Sequence, residues 1–268
     1  MKTKQINIEE AASWVEPGKT LALGGMTIYR RPMAFVRALI QRHQQTGNPS
    51  DLTLLNFTAS IESDLLVGAG LINTIRSCYF GLEIFGLAPM YTYFANRGEI
   101  RILEETEASL SLGLRAQMAN LGFMPSRAWQ GTDLLRLRPD VKTISDPYTG
   151  EELTAFPAIK PDVVVIHALV ADEEGNAQIG DNMAIDRELV LTADLVIITT
   201  EKIVPRLDKA DLVSPLVDAI ILAPGGAQPT SCHPAYPLNG KAILEYTEQV
   251  SDPESFQCYL ATWLQQVA

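Results

Sequence analysis

The chain has 268 residues, 47% of them hydrophobic, and a formal net charge of −11. That length can bury the core of a single α/β domain spanning 1–268 without covalent staples, and the charge sets the bulk field against nucleic acid and anionic membrane surfaces. Three widely spaced cysteines, Cys78, Cys232 and Cys258, suggest neither a disulfide framework nor a four-ligand metal site; no run approaches the roughly 18 apolar residues of a membrane span, and residues 1–17 lack the apolar core of a leader, so the expectation is a soluble protein of the reducing cytoplasm.

In chain order, residues 8–15 read as a short helix ended by Pro17-Gly18, and 19–23 as a first buried strand. Gly24-Gly25 closes that strand, and Met33, Val36, Leu39 and Ile40 recur at helical spacing until the polar run at 41–47. Residues 51–57 and 61–69 form the next strand and helix, and a strand lies within 72–80. The glycine-rich stretch 81–89 follows as a loop. Helices over 90–97 and 108–121, the latter capped by Gly122, flank a strand at 99–103. The pattern loosens over 123–161, where prolines and glycines leave room only for a hairpin around Asp146-Pro147-Tyr148-Thr149-Gly150. Residues 162–170, 194–200 and 217–222 are strands apolar enough to be buried on both faces, with a turn at 171–176 and a helix at 186–192. Helices at 239–250 and 253–267 finish the chain. Strands alternating with helices imply an open, mostly parallel, doubly wound sheet flanked by helices, with an irregular, hairpin-containing segment around 123–161.

The strongest candidate site is the turn Gly24-Gly25-Met26-Thr27. Paired glycines at the end of a buried strand permit positive φ and close approach to bare backbone, and N–H groups there and at the helix starting near Pro32 could cradle an oxyanion. Arg30, Arg31 and Arg37 would add positive charge. Gly225-Gly226-Ala227 ends another apolar strand in the same manner, whereas Gly175-Asn176 reads as a plain tight turn. No dinucleotide fingerprint or phosphate-binding P-loop occurs, and no His or Cys spacing supports a metal. His167, inside a buried strand, reads as a hydrogen-bonded core residue. Glu83 lies among glycines and apolar residues, where desolvation would suit it to acid, base or nucleophile work. Glu104, Glu105 and Glu107 open a helix, where acids are favoured by the dipole; Glu107 is the one singled out for chemistry.

Residues 24–34 resemble the Gly-Gly-Phe segment of the alpha-type subunits of family I coenzyme A-transferases, in the form found in the alpha-type chain of glutaconate CoA-transferase. The likeness continues in order through Gly81-Leu82-Glu83, Gly86-Leu87-Ala88-Pro89, Leu121-Gly122-Phe123-Met124-Pro125, Gly131-Thr132-Asp133, Asp146 to Gly150, His167-Ala168, Gly175-Asn176-Ala177 and Gly225 to Thr230. The resemblance implies a subunit that works with a beta-type chain, whose glutamate attacks an acyl-CoA thioester and carries the acyl group and then CoA. The Ser-Glu-Asn-Gly motif that holds this glutamate is absent here, so the chain alone is expected to be inactive. By resemblance it contributes oxyanion donors at Gly25 and Met26, with Gly24, Thr27, Arg30, Arg31, Glu83, Gly225, Gly226 and Ala227 towards the carboxylate or CoA. No tightly bound cofactor is implied; the CoA thioester is substrate. Met26 stands where the family has phenylalanine. Similar pairs act as CoA-dependent hydrolases or decarboxylases, and in the hydrolase branch an acid in the stretch matching 104–107 takes part. A non-catalytic acyl-CoA-binding protein is the third alternative.

Overall fold

The computed structural model describes residues 4–265, so the first three residues and the end of the helix expected over 253–267 lie outside the described residues. The chain runs α1 (Ile8–Ser13), β1 (Thr20–Leu23), α2 (Met33–Thr46), β2 (Leu52–Ala59), α3 (Ile61–Gly68) and β3 (Ile72–Phe80). A 3-10 turn at Glu83–Phe85 leads to α4 (Pro89–Arg97), β4 (Arg101–Glu104) and α5 (Glu107–Met118). Next come β5 (Phe123–Ser126), α6 (Leu134–Leu137), β6 (Lys142–Ser145) and β7 (Glu152–Pro157). The rest is β8 (Val163–Ala168), β9 (Val170–Asp172), β10 (Ala177–Gln178), α7 (Asp186–Thr192), β11 (Leu195–Thr200), β12 (Ile203–Val204), β13 (Ala219–Leu222), α8 (Gly240–Gln249) and α9 (Pro253–Gln265).

Seven strands form one parallel sheet in the order β13-β11-β8-β1-β2-β3-β4. The period of two along each strand explains how helices cover both faces. Leu21, Leu23, Val163, Val165 and Ile197 point into one apolar layer, shared with α1 to α4, α8 and α9. Their neighbours Ala22, Val164, Ile166, Val196 and Ile198 point into the other, shared with α5 and α7. Every residue of β8 is buried, as the unbroken apolar run predicts. From β1 the chain builds outward through β2, β3 and β4, then returns to β8 on the opposite side of β1 and builds outward again. The switch point therefore lies between β1 and β8, where open α/β sheets place their ligand crevice.

The segment 123–161 is less irregular than its prolines suggest. It holds an antiparallel sheet, β5-β7-β6, with the expected hairpin turn closed by Gly150 N–H to Asp146 O at 2.9 Å. The turn expected at 171–176 belongs to a second small sheet, β10-β9-β12. Helix α2 ends as expected on Gly47, which is left-handed at φ 74° and donates to His43 O. Helix α5 differs: it stops at Met118, and Asn120 takes the left-handed position at φ 53°, so Gly122 lies beyond its cap.

Candidate active site

The glycine loop fills the switch-point crevice with the chain's own contacts. Gly24 N–H donates to Val165 O at 2.9 Å, Gly25 N–H to Asp186 Oδ1 at 3.0 Å, Met26 N–H to Tyr29 O at 3.0 Å, and Thr27 N–H to Thr58 Oγ1 at 2.8 Å. In this conformation the N–H groups of Gly25 and Met26, the expected oxyanion donors, both have acceptors within the chain. Glycine at 25 has a steric reason: at φ 85°, a Cβ would sit 2.5 Å from Tyr29 O.

Arg30 and Arg31 are also redirected. Both are fully buried. Arg30 donates to Asp186 Oδ2 at 2.7 Å, His167 O at 2.7 Å and Asn182 O at 3.0 Å. Arg31 Nη2 pairs with Glu62 Oε1 at 2.5 Å. Neither guanidinium is presented to a ligand; a buried charge needs a partner, and here two acids of the same chain supply it. Arg37 lies over the Trp263 ring, 4.5 Å from its centroid.

On the β8, β11 and β13 side, Glu201 organises the second glycine turn. It accepts from His167 Nε2 at 2.7 Å, Tyr236 OH at 2.5 Å and Gly225 N–H at 2.7 Å. Burial opposes the charge of Glu201, but these donors outweigh it and hold its carboxyl below the usual range. Burial likewise lowers the pKa of His167, with Glu201 opposing, which keeps the ring neutral. Since a carboxylate only accepts, Nε2 carries the proton, and Nδ1 accepts from Thr199 Oγ1 at 2.8 Å. Ala227 N–H donates to Tyr236 OH at 2.9 Å, and Gly226 N–H to Ala223 O at 2.9 Å. The three residues Gly225, Gly226 and Ala227 therefore offer no open donor. Gly225 instead borders a cavity of about 270 Å³ on the helical side, with Met33, Arg37, Gln228 and Trp263. His167, Glu201 and Cys232 bring three ligand-type atoms within 4.8 Å of one another. Hydrogen bonds from His167 and Tyr236 already occupy the Glu201 oxygen in that group, which makes it part of a polar network of the fold.

The open cavity at this edge lies on the other side, over β1 to β4. It measures about 390 Å³ and is lined by Thr27, Thr58, Cys78, Tyr79, Glu83, Glu105, Thr106 and Glu107. Three expected site residues, Thr27, Glu83 and Glu107, meet here although they are distant in sequence. Thr27 and Glu83 sit at φ 46° and 55°, conformations that cost non-glycine residues free energy and cluster at functional sites. Glu83 is exposed, so the desolvated setting expected from its apolar neighbours is absent: Phe85 turns inward while Glu83 turns out. Glu107 is exposed on the first turn of α5. Among the described residues neither carboxylate has a cationic partner.

Glu105 differs from both. It is buried, takes Arg76 Nε at 2.7 Å and Arg138 Nη1 at 2.9 Å on one oxygen, and accepts from Ser109 Oγ on the other. Ser109 and Thr106 form a capping box at the start of α5, and Trp129 Nε1 donates to Thr106 Oγ1 at 2.9 Å. The segment around the small β5-β7-β6 unit thereby grips the start of α5, one residue before Glu107. Cys78 is pushed up to about 11, by burial and then by Glu107 and Glu105, so at neutral pH it presents a thiol. Sequence reasoning missed Thr58, Cys78 and Tyr79 on the cavity wall, and Asp186, Arg138 and Trp129 behind it. No local signal marks the wall residues, which the parallel register alone brings together at strand ends.

A doubly wound sheet with an acid-lined cavity at its carboxyl edge defines a small-molecule enzyme class. Residues 5–221 match the Coenzyme A transferase family model, and the chain belongs to that family. It is 30% identical over 98% of its length to a cholesterol ring-cleaving hydrolase IpdA subunit of Rhodococcus jostii, covering 92% of that protein. The structure of a decarboxylase AibA/AibB variant matches with TM-score 0.87 and 30% identity, over 97% of this chain and 100% of that one. Glutaconate coenzyme A-transferase from Acidaminococcus fermentans matches with TM-score 0.90 and 26% identity, over 98% and 89%. The chain also spans 60% of the length of an uncharacterized Archaeoglobus fulgidus protein to which it is 31% identical. Two of these relatives are named as subunits, and the AibA/AibB decarboxylase carries two chain names. Among the described residues no helix is long and apolar enough to cross a membrane.

Proposed function

We propose that this chain is the alpha subunit of an enzyme that moves coenzyme A between small carboxylic acids, completed by a beta-type partner that carries the nucleophilic glutamate. The observation that supports it most is the meeting of Thr27, Glu83 and Glu107 around one open cavity at the ligand edge of a CoA-transferase fold. In the transfer reaction the partner's carboxylate attacks the acyl-CoA carbonyl, giving a mixed anhydride and free CoA thiolate. The thiolate attacks the glutamyl carbonyl, which releases the first acid and leaves a glutamyl thioester; the second acid reverses the sequence. This chain's part is the binding wall. Thr27, Thr58 and Tyr79 line it with hydroxyl groups, and Glu83 and Glu107 exclude an acid's carboxylate from their own side, directing it towards the partner.

A second reading, CoA-dependent hydrolysis or decarboxylation, is favoured by Glu107 itself. On this reading the exposed carboxylate of Glu107, in the first turn of the helix that the Thr106–Ser109 capping box starts, takes a proton from water or substrate. Glu107→Gln in the assembled enzyme separates the two. Under transfer, the ratio kcat/KM for CoA exchange between two acids falls less than about 10-fold, because the nucleophile is elsewhere. Under hydrolysis, turnover of the acyl-CoA falls by about 100-fold or more, the scale of a general base. CoA transfer by this chain alone would overturn the division of labour, and thioester binding by the assembled pair without turnover would replace it with a sensing role.

A further inference from the structure

The loop between β3 and α4 carries two side chains that the fold itself does not use. Ile84 is 90% exposed and Leu87 is 72% exposed. Exposure of that degree on single residues is ordinary; here it occurs on both, within one short loop, beside a cavity that Glu83 lines. The loop is well anchored. Leu82 and Ala88 at its two ends are fully buried, and Leu82 N–H donates to Gly86 O at 2.9 Å across its neck. Phe85 tucks beneath it so closely against the start of α8 that a Cβ on Gly240 would lie 3.0 Å from its ring. Glu83 N–H is bonded to Tyr79 OH at 3.3 Å. Ile84 and Leu87 are therefore held out on a fixed base, and little order has to be gained when they are covered.

Charge decides what covers them. Glu83, next to Ile84 in the chain, and Glu107 are exposed on one cavity, on a chain of net charge −11. A second copy of this chain docked here would set those carboxylates against one another. A partner that removes them from water must bring cations to meet them.

We propose that Ile84 and Leu87 are the apolar anchors on which the beta-type partner seats. The partner presents an apolar socket to the pair and a basic side chain to Glu83, the acid next to Ile84 in the loop, which leaves the rest of the cavity open to substrate. This inference rests on the two-chain reading above. Titration calorimetry between this chain and the beta-type CoA-transferase chain of the same genome, purified separately, tests it. Ile84→Asp combined with Leu87→Asp is expected to raise Kd at least 100-fold. Tyr148→Asp, at the tip of the distant hairpin and 94% exposed, is expected to leave it within about 2-fold. Circular dichroism and the urea midpoint of each variant alone confirm that the fold is kept, and the milder Ile84→Ser with Leu87→Ser is expected to show a smaller loss in the same direction. Raising salt is expected to weaken the wild-type pair more than the Glu83→Gln pair. Wild-type affinity in the doubly substituted chain, or equal losses in the Tyr148 variant, overturns the anchor while leaving the two-chain reading intact. Failure of the wild-type chains to associate overturns both.

Discussion

The two halves of the sheet's carboxyl edge are built from similar residues and end in opposite states. Over β8, β11 and β13, carboxylates, arginines and backbone donors are used up on one another: Asp186 holds Arg30 and Gly25, while Glu201 holds His167, Tyr236 and Gly225. Over β1 to β4, Glu83 and Glu107 face solvent around an open cavity, and the buried acid on its wall, Glu105, is clamped by Arg76 and Arg138. A charged residue near a ligand edge is thus part of the frame when its counterion belongs to the same chain, and part of the site when it does not.

This contrast is sharpest in stability. Asp186→Ala leaves the Arg30 guanidinium buried without a countercharge and Gly25 N–H without its acceptor, so unfolding should become easier by about 3–5 kcal/mol, read as a fall in urea midpoint. An unchanged midpoint would dissolve the distinction between the halves. An intermediate effect is expected from pH. His167 has a folded pKa below its ordinary value of 6.5, so the unfolded chain takes the proton first. Stability is then full above that pH and declines as pH falls through it. Glu201, depressed below its ordinary 4.5, adds a further loss at lower pH as its folded carboxyl is protonated. Thermal unfolding between pH 8 and 4 should show this decline, and His167→Gln should flatten its upper stage. The smallest effect belongs to the open half: Glu83→Gln should shift stability by no more than about 0.5 kcal/mol, and a large loss would place Glu83 in the frame.

Much of the fold was legible because the strands carry their own signature. The runs of β8, β11 and β13 are too apolar and too short for anything except strands buried on both faces. The site was less legible. Arg30 and Arg31 follow two glycines and look like ligand charges, yet their acids lie 156 and 31 residues away, and nothing local announces the pairing. Asp186 reads as an ordinary first-turn acid of α7. Thr27, Glu83 and Glu107 were found through a family resemblance and through unusual local settings, but their meeting depends on the register of β1 to β4. Close packing within the chain gives Gly24 a steric reason to be glycine, as the 2.8 Å approach of its Cβ to Asp186 and Ile166 shows.

The clamp on Glu105 has a wider consequence. Because Arg138 and Trp129 reach in from the small β5-β7-β6 unit, the first turn of α5 is aimed by a module whose own hairpin faces solvent. Substitutions in that module reach Thr106 and Glu105 at the start of α5 without altering any strand of the seven-stranded sheet. The acids at the edge of the cavity therefore depend on residues well outside its lining.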